Sequence, residues 1–355
     1  PGLRWLRPDS LQRWQAVARR YKQLAMEMGG VLIKLGQFLS IRVDLFPPEI
    51  TGELAGLQDE VAPEPYPAIK ALVEDQFGRP LEKIFISFSE EPLGAASLAQ
   101  AHLARLPDGQ EVVVKILRPG IQRLVETDLA VMGVVCKWLK LFRSIRRRMD
   151  LDLLISEFAT TTRRELNFTR EKENILHFTS DFAGVPDVYI PGIHEDYCTP
   201  GTLTMENVFY IKISDIKGLA ACGIDAGAVA EKLYDLYMQQ VFGNNFIHAD
   251  PHPGNLFVKP VPTEEERRAG IEAFNPDDPV PHLPGRGTQI LLIAIGMTAV
   301  IPGRHQAAPQ MAAIGSGTQA ARQVIQASTH AGVLQPGADL RRLEEAHPDW
   351  FQRMW

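Results

Sequence analysis

Only three cysteines, Cys136, Cys198 and Cys222, occur in 355 residues, and no two of them form a CxxC pair. An odd, widely spaced set argues against a disulfide framework and against a thiolate zinc site, and fits a reducing compartment. A basic excess is also missing. Lys and Arg total 37 against 43 Asp and Glu, a formal charge of −6 with a pI near 5.9, so no cation surplus exists to displace counterions from a nucleic acid. Long apolar runs are absent too. The longest, "LAVMGVVC" at 129–136, falls far short of the roughly 20 residues of a bilayer span. The opening stretch "PGLRWLRPDSLQRW" holds no apolar core of a signal peptide. These absences predict a chain that is soluble or at most peripheral, with no nucleic-acid partner.

What is present suffices for one large core or two modest ones: 45% of residues are hydrophobic and 23% charged, which predicts two lobes. Apolar residues at helical spacing predict a helix over 10–46, with Ser10 as its cap and Gly29-Gly30 as a point where it can break. "PAIKALVEDQF" predicts a second, stopped by Gly78. From residue 84 the period shortens. "IFISF", "SLAQAHLARL" and "EVVVKILR" predict three antiparallel strands, the last two joined by the hairpin signal Pro107-Asp108-Gly109. Residues 120–180 return to helix, "VYIP" and "TLTMENVF" read as strands, and 225–243 as a long amphipathic helix. A loop, "ADPHPGN", then leads into "LFVK", 260–288 reads as an exposed Pro-rich loop, and "QILLIAIGM" as a buried strand ending in glycine. Mostly helical sequence completes the chain.

A lysine in a third strand, a later helix carrying glutamates, a stiff loop with Asp250 and Asn255 five apart, then a strand ending in glycine is the order of phosphoryl-transfer parts on a kinase-like scaffold. That order alone recurs by chance. The residues themselves are more specific: "KLGQ" at 34–37, "PLGAASLAQAHLARLPDGQEVVVKILRPGI" at 92–121, "ELNFTREKEN" at 165–174, "LTMENVFYIKISDI" at 203–216 and "FIHADPHPGNLF" at 246–257. In order and spacing they resemble the UbiB/AarF family of atypical kinases, which includes the ADCK group, over roughly 10–310.

The resemblance implies an α+β, bilobal protein-kinase-like fold: an N-terminal helical extension at 1–83, an N-lobe with a helical insertion at 84–210, and a C-lobe at 211–355. It also implies ATP or ADP as ligand and a role supporting ubiquinone or other isoprenoid-lipid metabolism. Lys115 would neutralise nucleotide phosphates and Glu171 orient it. Asp250 would be the catalytic-loop carboxylate and a metal ligand, and Asn255 a second ligand. Lys34 and Gln37, i and i+3 on one helix face, would reach the nucleotide from the extension, together with Glu165. Ala95, Ala96 and Ser97 would replace a glycine-rich phosphate loop with a stiffer one, and Glu206 would lie in the hinge. Partners implied are nucleotide, isoprenoid lipid or a membrane surface, and quinone-biosynthesis proteins. The location implied is cytoplasmic, peripheral at the inner membrane.

Several positions depart from the family pattern. Asn167 stands where Glu-x-Asp is expected, and Ala294-Ile295-Gly296 where the metal-binding Asp-Phe-Gly lies, so two carboxylates are gone and Mg²⁺ chemistry is weakened. The hinge lacks its usual glycine, and the membrane-spanning C-terminal segments of many bacterial members do not follow, which predicts a truncated or a soluble form. Two other readings stay open. His248, Asp250 and His252 offer a zinc or iron set. "CKWLKLFRSIRRRM" at 136–149, with Trp138, Leu139, Leu141 and Phe142 ahead of Arg143, Arg146, Arg147 and Arg148, is either an anionic-lipid surface or a helix packed on the lobe with a solvated arginine end. A pseudokinase acting as a nucleotide-responsive lipid- or partner-binding module is the alternative to a weakened kinase or ATPase.

Overall fold

The computed structural model describes residues 8–40, 42, 46–54, 57, 61–141, 150–208, 210–250, 252–274 and 279–301. The chain divides into two compact units, Pro1–Leu176 with Pro191–Val208, and His177–Ile190 with Phe209–Trp355. Residues 1–83, read from the sequence as a helical extension, belong to the first unit.

In that unit the first helical stretch is two helices, α1 (Pro8–Met28) and α2 (Gly30–Ser40). Gly29 and Gly30 take φ of 69° and 56°, a left-handed step that ends one helix and starts the next. With α3 (Pro48–Leu54) they enclose a small core of Ala18, Ala25, Ile33, Ile50, Leu54 and Leu57. A Cβ at Gly36 would lie 2.1 Å from a Leu57 methyl carbon, so a larger residue there would force the Leu57 side chain to move. Helix α4 (Tyr66–Phe77) starts after Pro65 and stops at left-handed Gly78. Its buried Ile69 and Val73, one turn apart, pack on Leu81, Ile84, Phe85, Val112, Val114 and Ile116.

Strands β1 (Ser87–Ala95), β2 (Ala99–Arg105), β3 (Glu111–Leu117) and β5 (Thr202–Glu206) form an antiparallel sheet in the order β1-β2-β3-β5. The predicted first strand is displaced: Ile84 and Phe85 fill the core, and pairing begins at Ser87. Apolar character at those two positions reported burial, not strand. The predicted hairpin is present, with Gly109 at φ 90° and the Gln110 N–H donating to Asp108 Oδ1 at 2.9 Å. Helices α5 (Ile121–Leu139), α6 (Leu151–Glu165) and α7 (Phe168–Asp181) follow, α6 capped by the Asp150 carboxylate on the N–H groups of Asp152 and Leu153. The last turn of α7, from His177, belongs to the second unit.

The second unit is built on a sheet ordered β4-β9-β8-β6, from Val188–Tyr189, Thr288–Leu292, Leu256–Pro260 and Ile211–Lys212. Val258, Ile290, Leu291 and Leu292 are fully buried in it. The short α8 (Ile216–Ala221) precedes α9 (Ala226–Gln239), which ends earlier than predicted, in a π turn at Gln240–Asn244. β7 (Phe246–His248) pairs with β10 (Thr298–Val300). The predicted strand at 289–297 stops at Leu292.

The segment 260–288 is not a plain exposed loop. It carries α10 (Glu264–Arg268) with a Thr263/Glu266 capping box. The buried Arg286 guanidinium binds both Glu266 oxygens at 2.9 Å, donates to Pro281 O at 2.7 Å and lies over the Phe274 ring. That bidentate pair, with the Thr263 N–H, holds the Glu266 carboxyl down to about 2. Residues 302–355, predicted to be mostly helical, lie outside the described residues, as do Pro251 and 142–149.

Candidate functional site

Lys115 sits in the middle of β3, opposite Ala101 on one side and Leu203 on the other. Its neighbours Val114 and Ile116 are buried, so the strand's alternation sets the lysine on the opposite face. Its ammonium lies 2.9 and 2.8 Å from the two carboxylate oxygens of Glu171 and 4.9 Å from the Phe168 ring centroid. Glu171 is in the first turn of α7, where the helix dipole favours negative charge. The Glu171 side chain is 6% exposed and that of Lys115 27%, so the pair is buried at the carboxylate and open at the ammonium.

A second ion pair lies in the same unit. Lys34 of α2 meets Glu165, the last residue of α6, at 3.0 Å, each side chain 19% exposed. The two residues expected from KLGQ therefore diverge: Lys34 reaches an acidic site residue, whereas Gln37 donates its amide to the Leu57 carbonyl at 3.3 Å. Asn167 caps instead of ligating, its Oδ1 accepting from the Thr169 N–H at 3.0 Å at the start of α7. Glu206 is tied to Gly192 through both its backbone N–H and its carboxylate.

The turn Ala95–Ser97 closes on itself, the Ala96 N–H donating to Ala99 O at 2.7 Å. Its carbonyls are occupied as well. Ala95 O accepts from the Val61 N–H at 3.1 Å, and Ala96 O from Arg118 Nε at 2.9 Å. Sequence reasoning missed Arg118; the signal was an arginine between an apolar strand and a Pro-Gly turn. It also missed a buried chain in which Gln100 donates to His102 Nε2 and His102 Nδ1 to Ser89 O. Burial holds the His102 imidazole below its ordinary value, against the Ser89 carbonyl, which favours the cation.

In the second unit β7 delivers the loop His248–Asn255. Gln240, fully buried in the π turn, accepts the His248 N–H at 2.7 Å, and the Ala249 N–H bonds Met297 O at 3.0 Å. The loop then folds into a 3-10 turn at Pro253–Asn255, with the Gly254 N–H on His252 Nδ1 at 3.1 Å. Asn255 Nδ2 donates to Asp250 Oδ2 at 2.7 Å, and Asn255 O accepts the Ile293 N–H at 3.0 Å. Asp250 and Asn255 are thus brought together and fastened to the strand that leads to Ala294. The Tyr237 hydroxyl is pushed up to about 12, by burial first and by the Asp250 charge second. Ala294 has φ 54°, a left-handed conformation uncommon for alanine.

Among the described residues no group of three or more His, Cys, Asp or Glu side chains is placed to hold a metal ion, so the His248/Asp250/His252 set is not assembled. The donors near Asp250 fit Mg²⁺ poorly. One carboxylate, already bonded to Asn255, and one amide oxygen fall short of a shell that phosphates and waters would have to complete.

Residues 56–299 match the family model of the ABC1 atypical kinase-like domain. The chain belongs to the ABC1 atypical kinase-like family. Relatives include "Probable protein kinase UbiB" of Sodalis glossinidius, 37% identical over 268 residues that cover 76% of this chain and 49% of that protein. The protein of the same name from Klebsiella pneumoniae is 38% identical over 260 residues, 73% of this chain and 48% of the other. This ABC1 chain spans about half the length of the curated relatives it matches. A Mycobacterium tuberculosis protein solved as an erythromycin complex has the same fold at a TM-score of 0.57 and 21% identity, covering 95% of this chain and 78% of its own. No helix among the described residues of the ABC1 chain is long and apolar enough to cross a membrane.

Proposed function

We propose that this ABC1-family chain binds ATP or ADP and acts in support of ubiquinone or related isoprenoid-lipid metabolism, with weakened phosphoryl transfer. The observation that carries the nucleotide reading is the Lys115–Glu171 pair: a carboxylate buried to 6% exposure holds an ammonium that remains partly open. That arrangement suits a point charge for phosphate oxygens. Lys34 of the helical extension, paired with Glu165 of α6, adds a second cation and carboxylate. Ala95–Ser97, with its carbonyls already bonded, leaves most phosphate neutralisation to side chains, and Glu206 serves the hinge. Gln37 acts through Leu57.

In the second unit Asp250 would accept the proton of an attacking hydroxyl, oriented by Asn255. The missing carboxylate at Ala294 removes a group that would otherwise help neutralise charge developing between phosphates. The quinone connection rests on the UbiB name of relatives of which this chain covers about half, and membership in an assembly of quinone-biosynthesis proteins rests there too.

The test is thermal unfolding with ATP, ADP and AMP, each with and without Mg²⁺. A ligand at 100 times its Kd adds about 2.7 kcal/mol of stability, so a clear upward shift with ATP or ADP is expected, part of it independent of Mg²⁺. Absence of any shift with all three would end the nucleotide reading.

A second reading, the lipid- or partner-binding module, is favoured by α5. Leu124, Val131, Val134, Val135 and Trp138, with Leu141 just past the helix, are all about half exposed or more, Trp138 at 67%. The packed-helix expectation for 136–149 therefore fails at Trp138 and Leu141; the arginines lie outside the described residues.

A further inference from the structure

Arg118, the residue after β3, spends its guanidinium on three separate acceptors. Nε donates to Ala96 O at 2.9 Å, one terminal nitrogen to Glu64 Oε1 at 2.8 Å and the other to Ala62 O at 2.6 Å. The side chain is 12% exposed. Two of these acceptors lie in the connection between α3 and α4, the third in the Ala95–Ser97 turn. The same connection is fastened at two further points: the Val61 N–H bonds Ala95 O at 3.1 Å, and the Glu64 N–H bonds Gln100 Oε1 at 2.8 Å. Val61–Glu64 is thus strapped along the turn and the start of β2.

Holding Ala96 O fixes the plane of the Ala96–Ser97 peptide, because C=O and N–H of one peptide share that plane. Holding Ala95 O does the same for the peptide before it, whose N–H is committed to Ala99 O. A turn without glycine, with both carbonyls pinned, has one backbone arrangement. A lysine at 118 supplies one point charge where three planar directions are needed.

We propose that Arg118 is a positioning residue of the nucleotide site: it latches the Ala95–Ser97 turn to Val61–Glu64 and so presets the turn for a nucleotide's phosphates. This rests on the nucleotide reading above. The latch spares the ligand the ordering of the turn, and its loss shows as weaker binding.

The experiment compares wild type with Arg118→Lys, Arg118→Met and the milder Glu64→Gln, which keeps an acceptor oxygen and removes the charge from one of the three bonds. Amide hydrogen exchange is measured without nucleotide, and ADP and ATP affinities by titrated thermal shift. Faster exchange is expected at 61–64 and 95–101 in both Arg118 variants, with the amides of buried Ile69 and Val73 unchanged. Nucleotide affinity is expected to fall by roughly tenfold, the scale of ordering one or two flexible groups. Arg118→Lys should not rescue, and Glu64→Gln should be intermediate. Unchanged exchange at 95–101 would overturn the latch. Faster exchange with equal or tighter nucleotide binding would overturn the positioning role. A wild-type chain that binds no nucleotide would sink the nucleotide reading and the positioning role together, and the exchange data would still decide the latch.

Discussion

Asn255 Nδ2 donates to Asp250 Oδ2 at 2.7 Å, and the Asn255 carbonyl takes the N–H of Ile293, the residue before Ala294. The loop that carries Asp250 and the turn that carries Ala294 are therefore joined by hydrogen bonds, so the proposed loss of a carboxylate at Ala294 would be a local change.

That bears on Ala294 first. Its φ of 54° costs an alanine about 1 kcal/mol, whereas glycine adopts it freely and Asp tolerates it better. Ala294→Gly is expected to gain about 1 kcal/mol of stability, read by denaturant unfolding. Ala294→Asp is expected to fold at least as well as wild type and to show faster Mg²⁺-dependent phosphate release from ATP. An Asp variant with no gain in turnover would place the defect elsewhere, with Asn167 next in line.

Lys115 and Glu171 give a separable prediction. Lys115→Met leaves a buried carboxylate without its partner and should cost stability near the lower end of the roughly 3–5 kcal/mol seen for broken buried pairs, because the ammonium is partly open. The double variant with Glu171→Met should recover most of that loss. Nucleotide-induced stabilisation should be absent in both. Retained nucleotide binding in the double variant would mean the pair only supports the sheet.

Much of this was legible because local chemistry and fold agree. The hairpin at Pro107–Gly109 and the stop at Gly78 follow from residue type, whereas the partnership of Lys115 with Glu171 is what the family resemblance implies. The misses have physical causes. Ile84 and Phe85 are apolar in a short run, a pattern that core plugs and strands share. The segment 260–288 looks solvated by composition, and its order comes from Arg286 meeting Glu266 across twenty positions, which no local pattern encodes. The bond from the Gln37 amide to the Leu57 carbonyl is likewise a contact that no local pattern signalled. Arg118 is one arginine in sequence and a three-way connector only once strand, turn and linker are folded.

His102 predicts a pH dependence. The imidazole is fully buried and its pKa lies below the ordinary 6.5, because burial disfavours the cation. The unfolded chain takes up the proton first as pH falls, so the stabilising contribution is complete above 6.5 and is lost as pH drops below it. The midpoint difference between wild type and His102→Gln, measured from pH 8 to pH 5, should shrink towards acid. A constant difference would mean that the folded pKa is not lowered, and one that grows towards acid that the folded protein holds the proton more tightly than the unfolded chain.

The exposed face of α5 leads to the last prediction. Leu124, Val131, Val134, Val135, Trp138 and Leu141 recur at three- and four-residue steps, which at about 100° per residue confines them to one side of the helix axis. From Ala130 to Arg148 every charged residue is basic: Lys137, Lys140, Arg143, Arg146, Arg147 and Arg148. Lys140 alone of these is described with a partner, Asp152. An apolar face with a Trp beside a run of cations complements an anionic lipid surface. The protein is expected to float with vesicles containing anionic lipid and not with purely zwitterionic ones, and to release as salt is raised. Val134→Glu with Trp138→Asp should reduce flotation about tenfold or more while leaving nucleotide shifts unchanged, since two buried apolar side chains are worth at least that in partitioning. Flotation of the double variant at the wild-type level would take lipid off this face, and a wild-type chain that ignores both vesicles would leave a protein surface as what α5 is built to meet.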